Sequence, residues 1–390
     1  MTKPNSRLDV ETVQLHNWTP ALKLYKSLKI PRQYDFVTRL PLNGAKYFTL
    51  LSERSIGKTT SIILFAMCAY ETMGIIGQYV RSKQDMILNK NINELFKTIR
   101  EYDYISKITG GKWNDVYYHA RKWSYCKRDE NGDIVEKSNL HFMFCLSTDR
   151  NEDYKSVYNA PTGDIIIYDE FIGKYYRQNE FCDFCDLTST IMRHRTTPII
   201  FMLANTIDPQ SEYFNEMEIY DTVSLMEIGQ HEIVRTSKGT NIYIELLSRD
   251  KNERDKKSFF NSLFFGFKNP RLNAITGENW AFDYYPHPKR GYTSVYPNVY
   301  LEYNNKLVNL EIVKYDNVGF WIIAHSATST YDDSIIYTRD EIIDRRYRYK
   351  FGKGDNLDKF VWKLIDTKRV SYSNNMIGSI VRHYMTLKAS

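Results

Sequence analysis

The segment from Tyr47 to Thr60, YFTLLSERSIGKTT, joins an apolar run to a short polar loop that ends in Gly57, Lys58 and Thr59. Such a loop binds phosphate by pointing consecutive backbone N–H groups at the anion, and the positive end of the following helix adds to them. A lysine then supplies charge to the β- and γ-phosphates, and a hydroxyl binds Mg²⁺. Ser52 stands where the usual pattern has its first glycine, but serine is small enough for a turn out of a strand. The segment therefore predicts a site for ATP and Mg²⁺.

The pattern assigns several residues of this loop to the nucleotide, and Arg54 is the unusual one among them. Three roles are open for Arg54: it contacts phosphate, pairs with Glu170, or faces a neighbouring subunit. The predicted nucleotide-binding residues are Ser52, Arg54, Gly57, Lys58, Thr59 and Thr60.

An acidic pair, Asp169 and Glu170, ends a second apolar run, IIIYDEF, roughly 110 residues further along the chain. In phosphoryl transfer by P-loop enzymes, the acid that closes such a strand orders the Mg²⁺ ion, and a glutamate beside it polarises the attacking water. The alternative is a pair of solvated acids at a strand end. The order of loop and acidic strand favours Thr59 and Asp169 as metal residues and Glu170 as general base.

A third apolar run, PIIFMLANT, brings Asn205 to the edge of the sheet where ligands of open α/β sheets bind. There its amide can sense the γ-phosphate, although a turn residue before Asp208 is an equal alternative. Arg193 and Arg195 precede this run in IMRHRTTP. Either supplies the cation that phosphoryl transfer requires, often from a neighbouring subunit, or simply caps a helix C-terminus. The predicted catalytic residues are Lys58, Glu170, Arg193 and Asn205.

Short apolar runs alternate with longer amphipathic ones from Tyr47 onward, which predicts an α/β fold with a parallel sheet flanked by helices. The predicted elements are helices over 19–28, 58–70 and 85–102, strands over 75–80, 164–168 and 198–203, and a hairpin turn at 130–133. We expect an N-terminal extension over 1–44 packed on an ATPase domain over 45–225, a linker over 226–242 and a C-terminal domain over 243–390.

Composition restricts the classes of protein. The 390 residues are 42% hydrophobic and 26% charged, which is typical of globular domains, and the net charge of +6 permits a polyanionic partner without requiring one. No run approaches the roughly 20 apolar residues of a membrane span, and the start, MTKPNSRLDVETVQ, lacks the apolar core of a signal peptide. Five cysteines indicate free thiols, with Cys182 and Cys185 on a helix. We expect a cytoplasmic protein that does not bind a membrane.

Three segments carry a resemblance: SERSIGKT, then EDYKSVYNAPTGDIIIYDEF, then IMRHRTTPIIFMLANT with Asp-Pro and Tyr-Phe shortly after. Their order resembles the DNA-encapsidation ATPases of small protein-primed tailed bacteriophages, members of the ASCE P-loop superfamily. The match covers 45 to about 215 well, and 310–345 and the tail more weakly. It is specific at the loop, where the family also places an arginine before Ile-Gly-Lys, and at the aromatic residue Phe171. It departs from the family at Ser52 and in the length of the N-terminal extension.

The resemblance implies a RecA-like ASCE core and an ATP-driven motor that moves double-stranded viral DNA into a preformed procapsid during virion assembly. It also implies a homo-oligomeric ring, a pentamer, at the portal, with a packaging RNA. Such a motor works in the host cytoplasm and is absent from the mature virion. Carried over by position, the roles are phosphate and Mg²⁺ binding for Lys58 and Thr59, metal and base for Asp169 and Glu170, sensor for Asn205, and finger acting on a neighbour for Arg193.

The C-terminal part is expected to be a smaller α/β domain, for which an RNase H-like fold without a nuclease site is one interpretation. A two-metal nuclease needs several carboxylates at strand ends, but the run from Gly319 to His325 carries none. Basic and aromatic residues alternate in RRYRYKFGKGD, which suits nucleic-acid backbone contact and stacking, although a solvated face beside Asp344 is an alternative. The predicted nucleic-acid-binding residues are Lys155, Arg345, Arg346, Arg348 and Lys350.

Two other functions remain open on the sequence. One is a different DNA-translocating ASCE ATPase, a helicase or a conjugation-type pump. The other is a non-enzymatic nucleic-acid-binding assembly protein whose nucleotide site has decayed at Ser52.

Overall fold

The computed structural model describes residues 14–31, 35–52, 56–88, 90–154, 163–173, 179–205, 211–248, 286–303, 306–316, 318–339, 342–349 and 351–386. Contacts between residues divide the chain into two units. The first contains Met1–Asn205 and Glu216–Glu253, and the second contains Thr206–Asn215 and Arg254–Ser390.

The first unit is built on a ten-stranded sheet. Its strands are β1 Tyr47–Ser52, β2 Gly77–Arg81, β3 Asp115–His119, β4 Lys122–Arg128, β5 Ile134–Lys137, β6 Met143–Ser147, β7 Ile165–Asp169, β8 Ile199–Ala204, β9 His231–Arg235 and β10 Asn241–Leu247. The order is β3-β4-β6-β2-β7-β8-β1-β10-β9, with β5 paired to β4. The six strands from β6 to β10 in this order are parallel, and antiparallel strands extend both ends.

The central strands read as continuous apolar runs because helices cover both faces of the sheet. Every residue of β7 and of β8 is buried. The described helices of the first unit are α1 Thr19–Ser27, α2 Lys58–Met73, α3 Asp85–Leu88, α4 Lys97–Glu101, α5 Tyr104–Ile108, α6 Asn151–Tyr154, α7 Glu180–Met192 and α9 Tyr220–Leu225; α8 Glu212–Glu216 lies mostly in the second unit. The prediction of an α/β fold with a largely parallel central sheet is confirmed.

The N-terminal segment packs on the first unit through α1. Trp18, Ala21 and Tyr25 belong to the same apolar core as Phe65 of α2, and the Trp18 and Phe65 rings lie 5.7 Å apart. Helix α1 begins with Pro20 in its first turn, where proline's missing N–H costs nothing. The helix expected over 19–28 is therefore present, and it ends one residue earlier than expected, at Ser27.

Two predicted elements differ from the structure. The single helix expected over 85–102 is instead α3, a 3₁₀ turn over Lys90–Phe96, and α4. The linker expected over 226–242 contains β9 and leads into β10, which pairs in parallel with β1. Both strands belong to the first sheet, so the first unit extends beyond the expected boundary. Cys182 and Cys185 lie on α7 with free thiols, as expected.

The second unit contains a seven-stranded sheet in the order β16-β15-β12-β13-β14-β17, with β11 paired to β13. Its strands are β11 Tyr292–Tyr296, β12 Val299–Tyr303, β13 Lys306–Tyr315, β14 Gly319–Ala327, β15 Ile335–Thr338, β16 Tyr347–Arg348 and β17 Val370–Tyr372. Helices α10 Asn356–Asp366 and α11 Asn375–Thr386 pack apolar faces against it. The RNase H-like interpretation stays a prediction. Within the described ranges no helix is long and apolar enough to cross a membrane.

Truncation of the central strand tests this description of the core. Ile167 of β7 is fully buried, so Ile167→Ala removes packed methyl groups and should lower the free energy of unfolding by about 2–5 kcal/mol. Ile233 of the edge strand β9 is 51% exposed, so Ile233→Ala should change the free energy of unfolding by less than about 0.5 kcal/mol. Urea unfolding of both variants measures the difference, and equal losses would contradict the assigned burial.

Candidate nucleotide-binding site

Four adjacent parallel strands, β2, β7, β8 and β1, end at the same edge of the first sheet. Their register sets Asp169 of β7 opposite Leu203 of β8, and Ala204 of β8 opposite Leu51 of β1. The residues that follow, Asn205 and Ser52, therefore lie side by side near Asp169. This is the edge at which open α/β sheets bind ligands.

Lys58 is the first residue of α2 and is only 4% exposed. Its ammonium donates hydrogen bonds to the Ser52 hydroxyl and to Asn205 Oδ1, the latter at 3.0 Å. Gly57 precedes it with φ of +80°, a left-handed conformation that glycine adopts without steric cost. The structure thus brings the predicted lysine and the predicted sensor into contact, and it gives Ser52 a polar role that its small size did not indicate.

Thr59 and Asp169 also meet at this edge, where the Thr59 hydroxyl donates to Asp169 Oδ1 at 2.9 Å. The second carboxylate oxygen, Oδ2, accepts from the Tyr79 hydroxyl at 2.8 Å. Asp169 is 5% exposed, so these donors replace water around its charge. A hydroxyl and a carboxylate are ligands that Mg²⁺ accepts, and Mg²⁺ in nucleotide sites takes its remaining ligands from phosphates and water. The predicted metal residues therefore fit the ion.

Glu170 is held by two donors from neighbouring strands. Asn205 Nδ2 donates to Glu170 Oε1 at 3.1 Å, and Arg81 Nη2 donates to Glu170 Oε2. The backbone of Glu170 is left-handed, with φ of +52°, a conformation that costs a non-glycine residue energy and occurs at functional sites. The predicted general base thus sits at a strained turn next to the predicted sensor.

Arg81 at the end of β2 contacts both acids. Besides Glu170, its Nη1 lies 3.2 Å from Asp169 Oδ2. Burial lowers the pKa of the Arg81 guanidinium, but the Tyr79 phenol and the carboxylates of Asp169 and Glu170 raise it more, so its pKa lies above the ordinary value. Burial and the Asp169 charge likewise raise the pKa of Tyr79 well above its usual range, which keeps the phenol a donor.

These contacts form a closed network at the sheet edge. From Lys58 the hydrogen bonds run to Asn205, Glu170, Arg81 and Asp169, and they return to Thr59, the residue next to Lys58. Sequence reasoning missed Arg81 altogether. The only signal was an arginine closing the apolar run 75–80, at the same strand end as the acids of the next strand.

The two arginines before β8 have different surroundings. Arg195 Nε donates to Asp164 Oδ1 at 2.8 Å and its Nη2 donates to the Ile191 carbonyl at 3.1 Å, so Arg195 is engaged within its own subunit. Arg193 follows the end of α7 and is exposed. It precedes β8, which begins at the edge of the sheet opposite to Lys58, because β8 runs parallel to β7. The structure therefore does not bring Arg193 to the nucleotide site of its own chain.

The remaining predicted residues are scattered. Thr60 lies in the first turn of α2. Arg345 is exposed, Arg346 makes an ion pair with Asp344 at 2.8 Å, and Arg348 donates to backbone carbonyls of its own loop. Arg54, Lys155 and Lys350 lie outside the described residues.

The structure was compared with known proteins. It is similar to a solved structure described as the Phi-28 gp11 DNA packaging motor, with a TM-score of 0.53, 16% sequence identity, and coverage of 92% of this chain and 100% of that chain. It is also similar to the bacteriophage Phi-29 viral genome packaging motor assembly, with a TM-score of 0.52, 14% identity, and coverage of 88% and 95%. No protein-family model and no curated protein matches the sequence. The resemblance to packaging motors is confirmed at the level of the fold.

Two substitutions separate binding of the nucleotide from its hydrolysis. Lys58→Ala removes the charge nearest the expected phosphates, so ATP affinity should fall at least about tenfold and turnover should stop. Glu170→Gln keeps one acceptor oxygen for Asn205 or Arg81 but removes the base and leaves the contacts of Lys58 unchanged, so ATP should bind within about threefold of wild type while turnover stops. Equilibrium binding of a fluorescent ATP analogue measures the affinity, and phosphate release measures turnover. Glu170→Gln turnover within about threefold of wild type would exclude the base role.

Proposed function

We propose that this chain is an ATP-hydrolysing motor that moves double-stranded viral DNA into a preformed procapsid. The observation that carries the proposal is the closed network around Lys58, Thr59, Asp169, Glu170 and Asn205, which collects the predicted phosphate, metal, base and sensor residues at one sheet edge. Similarity in fold to two packaging motors over about nine-tenths of the chain supports the choice of this motor among ATPases.

In the proposed mechanism, Lys58 and the backbone at Gly57 bind the β- and γ-phosphates, and Asn205 senses the γ-phosphate. Thr59 and Asp169 are the residues that would hold Mg²⁺, and the bound ion would supply positive charge beside the phosphates. Glu170 accepts the proton of the attacking water. In the described contacts each of its two oxygens accepts one hydrogen bond, from Arg81 and from Asn205, which orient the carboxylate and leave a lone pair on each oxygen for that proton.

The proposed partners are double-stranded DNA, the portal of the procapsid, a packaging RNA and further copies of this chain in a ring, for which a pentamer is the expectation. Arg345, Arg346, Arg348, Lys155 and Lys350 remain the proposed nucleic-acid contacts. The site of action is the portal vertex in the host cytoplasm, and the motor leaves before the virion is complete.

Hydrolysis of ATP with defined partners tests the function. We expect phosphate release by the purified protein to rise when procapsids with portals and double-stranded DNA are both present, because ring assembly completes the sites. Lys58→Ala at the same concentration is the control for contaminating ATPases. Turnover that DNA stimulates and procapsids leave unchanged would favour another DNA-translocating ATPase, and turnover unaffected by Lys58→Ala would contradict ATPase activity.

Arg193 is the proposed finger that reaches the ATP of a neighbouring subunit. Arg193→Ala and Glu170→Gln subunits should each be nearly inactive alone. A mixed ring contains seams where an intact base meets an intact finger, so mixing should restore part of the turnover. Phosphate release is measured against the mixing ratio, with ring formation checked by native mass spectrometry. Full activity of Arg193→Ala alone, or mixed rings without any recovery, would contradict the role.

A further inference from the structure

Arg193 and His194 form a strained tip between α7 and β8. Their φ angles are +43° and +68°, so two consecutive non-glycine residues adopt the left-handed conformation, and both are exposed. Each such residue costs roughly 1–2 kcal/mol, and the conformation persists only where the surrounding structure imposes it. The residues on either side of the tip must therefore be fixed.

Asp164, just before β7, fixes the residues that follow the tip. Its Oδ1 accepts from Arg195 Nε at 2.8 Å, and its Oδ2 accepts from the Thr197 hydroxyl at 2.6 Å. Its backbone carbonyl accepts from the amide of Ile199 at 3.0 Å. Asp164 is 4% exposed, so its charge has exchanged water for these donors.

The N-terminal segment completes the same cluster. His16 Nε2 lies 2.7 Å from Asp164 Oδ2, and the Gln14 amide donates to the Thr196 hydroxyl at 3.0 Å. Two residues further on, Trp18 is buried in the core of the first unit, and its ring lies 4.9 Å from that of His16. The segment is therefore tied both to the core and to the loop that follows the tip.

From these contacts we propose that Asp164 and His16 are positioning residues for Arg193. They hold Arg195 and Thr197, and thereby the strained tip, in the geometry that presents Arg193 to a neighbouring subunit. This inference rests on the proposed finger role of Arg193. Through His16, the inference gives the N-terminal segment a part in hydrolysis that the sequence of this segment does not indicate.

Asp164→Asn tests the inference with little change of volume. The amide keeps one acceptor oxygen but loses the charge and the second acceptor, so Arg195, Thr197 and His16 can no longer all be satisfied. We expect ATP turnover of assembled rings to fall at least about tenfold, since small misplacements of a catalytic group have effects of this size. ATP affinity of the isolated subunit should stay within about twofold, because the nucleotide site lies at the other sheet edge.

Asp115 provides a matched control for the loss of a buried carboxylate. It accepts from Arg100 and Arg128 and is nearly buried, but it lies on β3, at the far end of the sheet. Asp115→Asn should lower the melting temperature about as much as Asp164→Asn, while ring turnover stays within about twofold of wild type. Equal losses of turnover in the two variants would mean that Asp164 is merely structural.

Mixed rings distinguish a displaced finger from a damaged site. Asp164→Asn subunits keep the proposed base Glu170, and Glu170→Gln subunits keep Arg193 in its native position. Mixing the two kinds of subunit should therefore restore turnover. Mixing Asp164→Asn with Arg193→Ala should restore nothing, because neither supplies a finger. His16→Phe keeps the aromatic packing on Trp18 and removes the donor, so it should give a smaller defect that Glu170→Gln subunits also rescue.

The outcomes separate the inference from the proposed function. If Arg193→Ala rings are inactive and Asp164→Asn rings are active, the positioning role is wrong and the finger role stands. If Arg193→Ala rings are themselves active, the finger role is wrong and the positioning role falls with it. Failure of Glu170→Gln subunits to rescue Asp164→Asn, in rings that demonstrably form, also overturns the inference.

Discussion

One guanidinium lies between two carboxylates at the candidate nucleotide site, and the hydrogen-bond network there depends on it. Asp169 and Glu170 follow each other at the end of a buried strand, where two unscreened negative charges repel, and Arg81 from the adjacent strand compensates both. Each oxygen of Glu170 accepts one hydrogen bond, from Arg81 and from Asn205. The Asn205 amide also accepts from Lys58, so one side chain joins the proposed phosphate-binding lysine to the proposed base. In the proposed mechanism, a phosphate that competes with Asn205 for the Lys58 ammonium therefore affects Glu170 through this amide.

The sequence predicted the fold best where residues are buried on both faces. The runs of β1, β7 and β8 are continuous and apolar, so their limits were found to within a residue or two. The stretch 85–102 was predicted as one helix from its periodicity, but its sequence contains three asparagines, a residue type that is unfavourable in helix interiors. Strand β9 is exposed at the sheet edge, so it lacks the apolar alternation by which a strand is recognised, and its surroundings were assigned to a linker.

The residues of the candidate site also divide into those that the sequence predicted and those that it missed. Lys58, Thr59, Asp169, Glu170 and Asn205 were predicted because each follows a recognisable run, and the structure brings all five together. Arg81 was missed because its role depends on the pairing of β2 with β7. Paired residues of these strands lie 88 positions apart in the chain, as Arg81 and Asp169 do, and no local pattern encodes such a pairing. The sequence preferred Arg193 to Arg195 as the finger only through the family resemblance. The contact of Arg195 with Asp164 is a structural difference between the two arginines that no local pattern encodes.

The segment from Asp164 to Asn205 joins the two functional edges of the sheet. β7 begins one residue after Asp164 and ends at Asp169, next to the proposed base Glu170. α7 returns to the opposite edge, and β8 runs back to the proposed sensor Asn205. The 13 residues of α7 span about 20 Å, a distance that an arginine side chain at its end cannot bridge. Arg193 therefore lies too far from the candidate nucleotide site of its own chain to stabilise charge there. Under the proposed function, any part that it takes in hydrolysis is played in the site of another subunit, and assembly is then a condition of activity rather than an addition to it.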